Sequence, residues 1–485
     1  MLQNIEPKVV WKHFEALNAV PRPSKKEDRV IQFMMDFGQG LGLETLQDNA
    51  GNVVIRKPAT KGFEDRKTVV LQSHLDMVHQ KNEDTDFDFE KEGIKMYVDG
   101  DWVKAKGTTL GADNGLGVAA IMSLLSSEDI EHPALEALFT IDEETGMTGA
   151  KNLDPNILDG EILLNLDTEE DDEIGIGCAG GTDITATRFY IEESVPEQTK
   201  AFKLTIKGLQ GGHSGMDIIK GLGNANKLMT RFLLRFHQKL TMRIGSFKGG
   251  GLRNAIPRES SAVFVVLNDD LDDFKASFEE LSKAIKAEYK NLEPNLDFQM
   301  KETEMPKSVL SSDVQDMIIK ALSTAHNGVY RMSPDIEGLV ETSNNIAQVS
   351  IENGKIEILC LTRSSVESGK WDLAHNIESA FDLAGCKVKF SGDYPGWTPN
   401  PDSAILKVVD ELYQKNFKEK AHIAACHAGL ECGILGSHYP EMDMVSFGPT
   451  ILGAHSPDER ASISSTQKFW GFLKDILKHI PERVK

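Results

Sequence analysis

The chain is poor in cysteine and in positive charge, and it has no long apolar run. Five cysteines are scattered through 485 residues: Cys178, Cys360, Cys386, Cys426 and Cys432. Their number is odd and no pair shows CxxC spacing, which argues against a disulfide framework and against a thiolate zinc site. It favours a reducing compartment. Lysine and arginine number 53 against 75 aspartates and glutamates, a formal net charge of -22. A surface of that sign repels phosphate backbones, so nucleic acid is not an expected partner. No apolar run is long enough to span a bilayer, so no membrane role is expected. Residues 1–10 lack the basic segment followed by an apolar one that marks a secretory leader. Together these absences predict a cytoplasmic chain.

The bulk composition, 40% hydrophobic and 26% charged, is ordinary for a globular protein and allows a large core without staples. Domains typically run to roughly 100–200 residues, so two or three are expected. Hydrophobic periodicity predicts helices at residues 9–19, 27–41 and 115–125, and strands at 52–56, 68–73, 135–141 and 161–166. Such alternation predicts an α/β sheet covered by helices. From about Thr187 the texture changes. Strands are expected at 201–207, 261–267, 348–350, 356–362 and 387–390, and helices at 221–236, 272–289, 312–324 and 373–383. After Asp393-Tyr394-Pro395-Gly396 the first texture returns, with helices at 403–416, 429–435 and 467–479 and a strand at 444–447. The expected organisation is a discontinuous α/β domain, 1–186 and 392–485, interrupted by an inserted α+β unit at 187–391.

Five acidic or histidine groups stand at or just beyond predicted strand ends. They are Ser73-His74-Leu75-Asp76, Gly111-Ala112-Asp113-Asn114-Gly115, Asp142-Glu143-Glu144-Thr145-Gly146, Asp167-Thr168-Glu169 and Gly453-Ala454-His455-Ser456. In α/β sheets ligands bind outside the carboxyl ends of strands, where such loops converge. Imidazole and carboxylate donors without thiolates suit zinc, manganese or cobalt. Each group by itself reads as a turn, a helix start or a solvated charge pair; their joint order is what points to a metal centre.

That order, with Gly211-Gly212-His213-Ser214-Gly215 between the fourth group and the last, resembles the dinuclear zinc peptidase superfamily of carnosinases, aminoacylases and succinyl-diaminopimelate desuccinylases. The resemblance runs over nearly the whole chain. It implies an α/β catalytic domain with an inserted lid and dimerisation domain, two divalent ions per chain, zinc first and cobalt or manganese as alternatives, and a homodimer. It implies hydrolysis of short peptide substrates, namely unblocked dipeptides of broad sequence with Xaa-His pairs among them. Position by position, His74 and Asp167 become ligands of one ion and Glu144 and His455 of the other, with Asp113 bridging. Glu143 becomes the general base and Asp76 the carboxylate that orients His74. His213 becomes the lid histidine, acting on a neighbouring subunit; Asn254, Arg363 and Glu431 become substrate contacts. The resemblance also implies a cis peptide between Asp113 and Asn114.

The chemistry is consistent with these roles. Adjacent Glu143 and Glu144 can divide proton transfer from metal binding, and a metal-bound His74 needs a carboxylate for its other N–H. Other readings stay open on the residues alone. The glycine-rich segment around His213 and the Asn254 segment read as turns, and Arg363 as one half of a surface ion pair. Residues 169–173 read as a solvated loop, and Trp102, Trp371, Trp397 and Trp470 as packing. The same centre would serve an N-acyl amino acid deacylase. A non-catalytic metal- or peptide-binding protein is a further alternative, which the presence of both Glu143 and Asp76 disfavours.

Overall fold

The structure, a computed structural model, describes residues 2–483. The chain forms two compact units. The first is drawn from Met1–Gly177, Pro399–Ala425 and Leu430–Lys485, and the second from Cys178–Thr398 and Cys426–Gly429.

The first unit is built on an eight-stranded sheet. Its strands lie in the order Glu44–Gln47, Val53–Lys57, Leu135–Thr140, Val69–His74, Ile162–Asn165, Asp443–Ser446, Glu173–Cys178 and His422–Cys426. Leu135–Thr140, Val69–His74, Ile162–Asn165 and Asp443–Ser446 run parallel. Val53–Lys57 and Glu173–Cys178 flank them in antiparallel fashion. The strands Val69–His74 and Leu135–Thr140 are buried at every position, as strands covered on both faces must be. The helix Ala112–Ser126 lies between strand Val69–His74 and helix Lys8–Asn18. It is buried almost all round, which explains its small apolar residues and the lack of an amphipathic stripe. A four-stranded sheet, ordered Ile451–Leu452, Arg460–Ser462, Trp102–Ala105 and Met96–Asp99, holds both ends of the loop that carries His455.

The second unit is an antiparallel sheet in the order Asp297–Glu302, Thr199–Lys207, Ser260–Leu267, Met242–Gly250, Val340–Glu352, Lys355–Ser364, Gly180–Phe189 and Lys387–Tyr394, with Gly328–Met332 added to Val340–Glu352. Helices Ala225–Lys239, Leu271–Glu288, Ser312–Thr324 and Glu367–Asp382 accompany it, and Phe232, Phe236, Phe264, Phe274 and Phe298 pack edge-on or tilted in its core. The unit begins earlier than the expected Thr187. Strand Gly180–Phe189 is one continuous element paired with Lys355–Ser364 and Lys387–Tyr394, and a boundary at 187 would cut both ladders. Lys387–Tyr394 likewise carries the unit past 391. Residues 426–429 rejoin it, where Cys426 and Ala428 accept hydrogen bonds from the Ala179 amide.

Several strands have little sequence signal; Val340–Glu352 is expected from the sequence only at residues 348–350. Val340–Glu352 opens on Val-Glu-Thr-Ser-Asn-Asn, and these polar residues are buried. They are tolerated because they are bonded; Asn345, for instance, donates to the Arg253 and Ala255 carbonyls at 3.1 and 2.8 Å. Among the described residues, no helix is long and apolar enough to cross a membrane.

Candidate metal centre

All the parallel strands of the first unit deliver chemistry at their carboxyl ends. His74 is the last residue of Val69–His74, Glu143 and Glu144 follow Leu135–Thr140, Asp167 follows Ile162–Asn165, and His455 lies in the loops beyond Asp443–Ser446. Asp113 enters from the start of helix Ala112–Ser126. There Asp113 and Asn114 depart from helical geometry and are joined by a cis peptide.

The ligand atoms meet. His74 Nε2 lies 3.1 Å from Asp113 Oδ1 and 3.5 Å from Asp167 Oδ1. His455 Nε2 lies 3.1 Å from Asp113 Oδ2 and 3.0 Å from Glu144 Oε2. Asp113 therefore offers one oxygen to each histidine. The sets His74–Asp113–Asp167 and Asp113–Glu144–His455 each bring one ligand atom per residue within 4.8 Å of one another; so does His74–Glu143–Glu144. Glu144 Oε1 and Asp167 Oδ1 are buried without a hydrogen-bond partner. Buried carboxylate oxygens left this way are costly unless a cation takes them up. The donor set, two imidazoles and three carboxylates without thiolate, fits two divalent ions.

Asp76 organises the first half of this cluster. Its Oδ1 lies 3.3 Å from His74 Nδ1 and accepts the Glu143 amide at 3.0 Å, while Oδ2 accepts Ser24 Oγ at 2.8 Å and the Glu144 amide at 3.3 Å. One buried carboxylate thus fixes the ring of His74 and the backbone of both glutamates. Burial opposes its charge, but the hydrogen bonds from His74, Ser24 and Glu143 hold it below the ordinary aspartate range. Burial pushes Glu143 well above the ordinary range, with Asp167, Glu431 and Glu144 adding to the effect and His74 opposing it. Cations brought among these carboxylates act in the opposite direction. His455 is pushed up to about 11 by hydrogen bonds to Asp113 and Glu144. The cluster thus favours positive charge at the place its ligand atoms converge.

Glu431, expected as a substrate contact, is buried at the sheet. It is 1% exposed, and its Oε2 accepts from Gln72 Nε2 at 2.7 Å and Thr140 Oγ1 at 2.5 Å. Gln72 in turn bonds Asn165, and Asn165 bonds Ser446. A chain of buried polar groups therefore crosses the four parallel strands, from Ser446 through Asn165 and Gln72 to Thr140, with Glu431 joining the last two. The other Glu431 oxygen, Oε1, is buried without a hydrogen-bond partner. Residues 169–173 also depart from the solvated loop expected of them. Burial pushes Glu169 up to about 8, with Asp113 and Asp167 adding to it; Asp171 pairs with Lys468 at 2.8 Å, and Glu173 opens a strand.

In the second unit, a short ladder of Gly212–His213 with Ala255–Ile256 brings His213 beside Asn254, whose carbonyl accepts the Ser214 amide at 2.8 Å. His213 Nδ1 accepts the amides of Gly215 and Met216 at 3.2 and 3.1 Å. That fixes the neutral tautomer and leaves Nε2–H as a donor. Burial, aided by Arg363, holds His213 below its ordinary pKa. Gly215 has no space for a side chain, since a Cβ there would lie 2.1 Å from the His427 carbonyl oxygen. Arg363 is buried, donates to the Tyr394 hydroxyl at 2.8 Å and has an unpartnered Nε. It is therefore no surface ion pair. Asn254 is exposed.

Residues 70–479 match peptidase family M20/M25/M40. The chain belongs to this family. It is 45% identical over 482 residues to the cytosol non-specific dipeptidase of Escherichia coli (strain K12), covering 99% of each chain. A crystal structure of aminoacylhistidine dipeptidase from Vibrio alginolyticus superposes with a TM-score of 0.95 at 44% identity, covering 100% of this chain and 99% of that one. Aminopeptidase PepT from Bacillus cereus, 16% identical with a TM-score of 0.57 over 98% of this chain and 99% of its own, shares the fold. The expected family is thus the observed one, and the mixed α/β architecture is that of its solved members.

Two side chains at the centre had no sequence signal. Arg22 and Glu459 are 1% and 2% exposed and bond the ligand-bearing segments from behind. Arg22 lies in a Pro-rich turn and Glu459 in a charged run, Asp458-Glu459-Arg460, that reads as solvated. Only the tertiary contacts reveal them.

Proposed function

We propose that this chain is a metal-dependent dipeptidase that hydrolyses unblocked dipeptides of broad sequence, Xaa-His pairs among them. The observation that carries the reading is Asp113, whose two carboxylate oxygens face two different histidines, each backed by a further carboxylate. His74, Asp113 and Asp167 would hold one ion and Asp113, Glu144 and His455 the other. Zinc suits the set best, with cobalt or manganese as alternatives. Two relatives alike over their full length are both named as dipeptidases, which supports the substrate class, and one of them as a cytosol enzyme, which supports a cytoplasmic setting.

When bound, the ion pair lowers the pKa of water towards neutrality and withdraws charge from a peptide carbonyl. Glu143 takes the proton of the attacking water and returns it to the nitrogen of the leaving amine as the C–N bond breaks. Asp76 keeps His74 and the Glu143 backbone in register throughout. His213 Nε2–H donates to the carbonyl oxygen as it gains charge. Arg363 takes the substrate carboxylate through its fork of donors, and Asn254 adds a polar contact. A free carboxylate close to the scissile bond is what separates dipeptides from long chains.

The test is a panel of free dipeptides beside N-acetyl amino acids, assayed with zinc, manganese or cobalt. Dipeptides should be cleaved at least about tenfold faster by kcat/KM. A preference for N-acetyl substrates would make the chain a deacylase on the same centre, and no turnover with any metal would leave a binding protein.

The resemblance further supports a two-fold homodimer in which His213 serves the partner's centre. Symmetric dimers are the commonest assembly. Mixing inactive His213→Ala with inactive Glu143→Ala subunits under exchange should restore about half of native activity per mixed dimer, by that symmetry. Verified exchange with no return of activity would place His213 in cis or outside the mechanism.

A further inference from the structure

The bridging group of a two-ion centre must be held between segments that come from distant parts of the chain. Asp113, His74 and His455 belong to three such segments; strand Arg460–Ser462, after the His455 loop, pairs with Trp102–Ala105 upstream of Asp113, and His74 ends a strand of the other sheet. Two buried side chains of opposite charge join them. Glu459 sits four residues beyond His455 in the same loop. Its Oε2 accepts the amides of Leu110 and Gly111 at 2.6 and 2.9 Å. Its Oε1 accepts those of Ala112 and Asp113 at 2.7 and 3.3 Å. Arg22 approaches from the other side. Its Nη2 donates to the Gly111 carbonyl at 2.5 Å, and its Nη1 to the Leu75 and Asp76 carbonyls at 3.0 and 3.1 Å.

Gly111 is therefore clamped twice, its N–H by Glu459 and its C=O by Arg22. It adopts a φ of 70°, and a Cβ there would come within 2.6 Å of Arg22 Nη2, so only glycine fits. Neither charged group touches a ligand atom. Each is taken out of water at a cost that hydrogen bonds must offset; both Glu459 oxygens and both Arg22 Nη atoms are bonded, and Arg22 Nε has no partner. His455 itself has a φ of 63°, a left-handed conformation that a loop must be held to keep.

We propose that Glu459 is a positioning residue for the second ion. It ties the loop carrying His455 to the segment carrying Asp113, while Arg22 ties that segment to the strand end carrying His74. The two fasteners act on different sides of Asp113. Loss of Glu459 frees the Asp113–His455 pair, and the His74–Asp113–Asp167 side stays fastened by Arg22. The inference rests on the two-ion reading above.

Glu459→Gln keeps the size of the side chain but turns an NH2 group toward backbone amides that need an acceptor. The experiment is titration of metal-free protein with cobalt(II), read by visible absorption and by bound-metal analysis after desalting. Wild-type protein should take up two equivalents. E459Q should take the first with wild-type affinity and the second at least about tenfold more weakly, the range expected for groups behind a metal ligand. Added metal should restore turnover in E459Q with KM unchanged, which a damaged fold would not allow. Glu459→Asp, which keeps the carboxylate, should recover part of the second affinity, and it carries the test if E459Q does not fold. Two equivalents bound with wild-type affinity in both variants, or equal weakening of both ions, overturns the proposal. A wild-type protein that takes up fewer than two equivalents overturns the two-ion reading on which it rests.

Discussion

Glu143→Gln should lower turnover by roughly 10²–10⁴ while about two metal equivalents remain bound. The separation of the two effects follows from the geometry. Glu144 Oε2 lies 3.0 Å from His455 Nε2 and belongs to the cluster with Asp113, whereas Glu143 appears only in the group it shares with His74 and Glu144. The backbone of Glu143 is pinned by Asp76, so the amide variant keeps its position and loses only the capacity to carry a proton. The KM should change little, because the proton moves in the transition state and not on binding. Metal analysis and steady-state kinetics on the same preparation decide the matter. Loss of an ion in Glu143→Gln would exchange its role with that of Glu144, and full activity would remove it from the mechanism.

The second large effect is expected at Asp113. Asp113→Ala should reduce bound metal to one equivalent or fewer and take activity to background. Both histidines lose the carboxylate that faces them, at 3.1 Å in each case, and among the described residues no other stands in both the His74–Asp113–Asp167 and the Asp113–Glu144–His455 clusters. Stability gives an independent reading. An ion that binds only the folded chain stabilises it by about 2.7 kcal/mol at a hundredfold excess over Kd. Wild-type protein should therefore melt at a clearly higher temperature with metal than after chelation, and Asp113→Ala should lose most of that difference. A variant that keeps both the metal content and the metal-dependent rise in melting temperature would exclude bridging by Asp113.

The strand-end groups were legible because a parallel strand announces itself twice. Thr68-Val69-Val70-Leu71-Gln72 and Leu138-Phe139-Thr140-Ile141 are runs that only a doubly covered strand would bury, and the hydrophilic residue that follows each run must then stand at the rim. The helix boundaries were less sharp. The helix expected from Gly221 begins at Ala225, where the Asn224 side chain caps the amides of Asn226 and Lys227. Antiparallel strands such as Glu173–Cys178 and Met242–Gly250 went unread, because glycine and charge interrupt their alternation.

What the sequence by itself determined is the set of donors and their order along the chain: imidazole and carboxylate groups, no thiolate, each placed at the end of an apolar run. Side-chain chemistry and hydrophobic period are local properties, and they can be read locally. The pairing was decided only by the tertiary structure. It turned one oxygen of Asp113 to His74 and the other to His455, and it buried Glu431 at the sheet. It also brought Arg22 and Glu459 behind the ligands from positions 437 residues apart, the difference of 459 and 22. A buried charge carries no local signature, because its burial depends on partners that only the folded chain supplies.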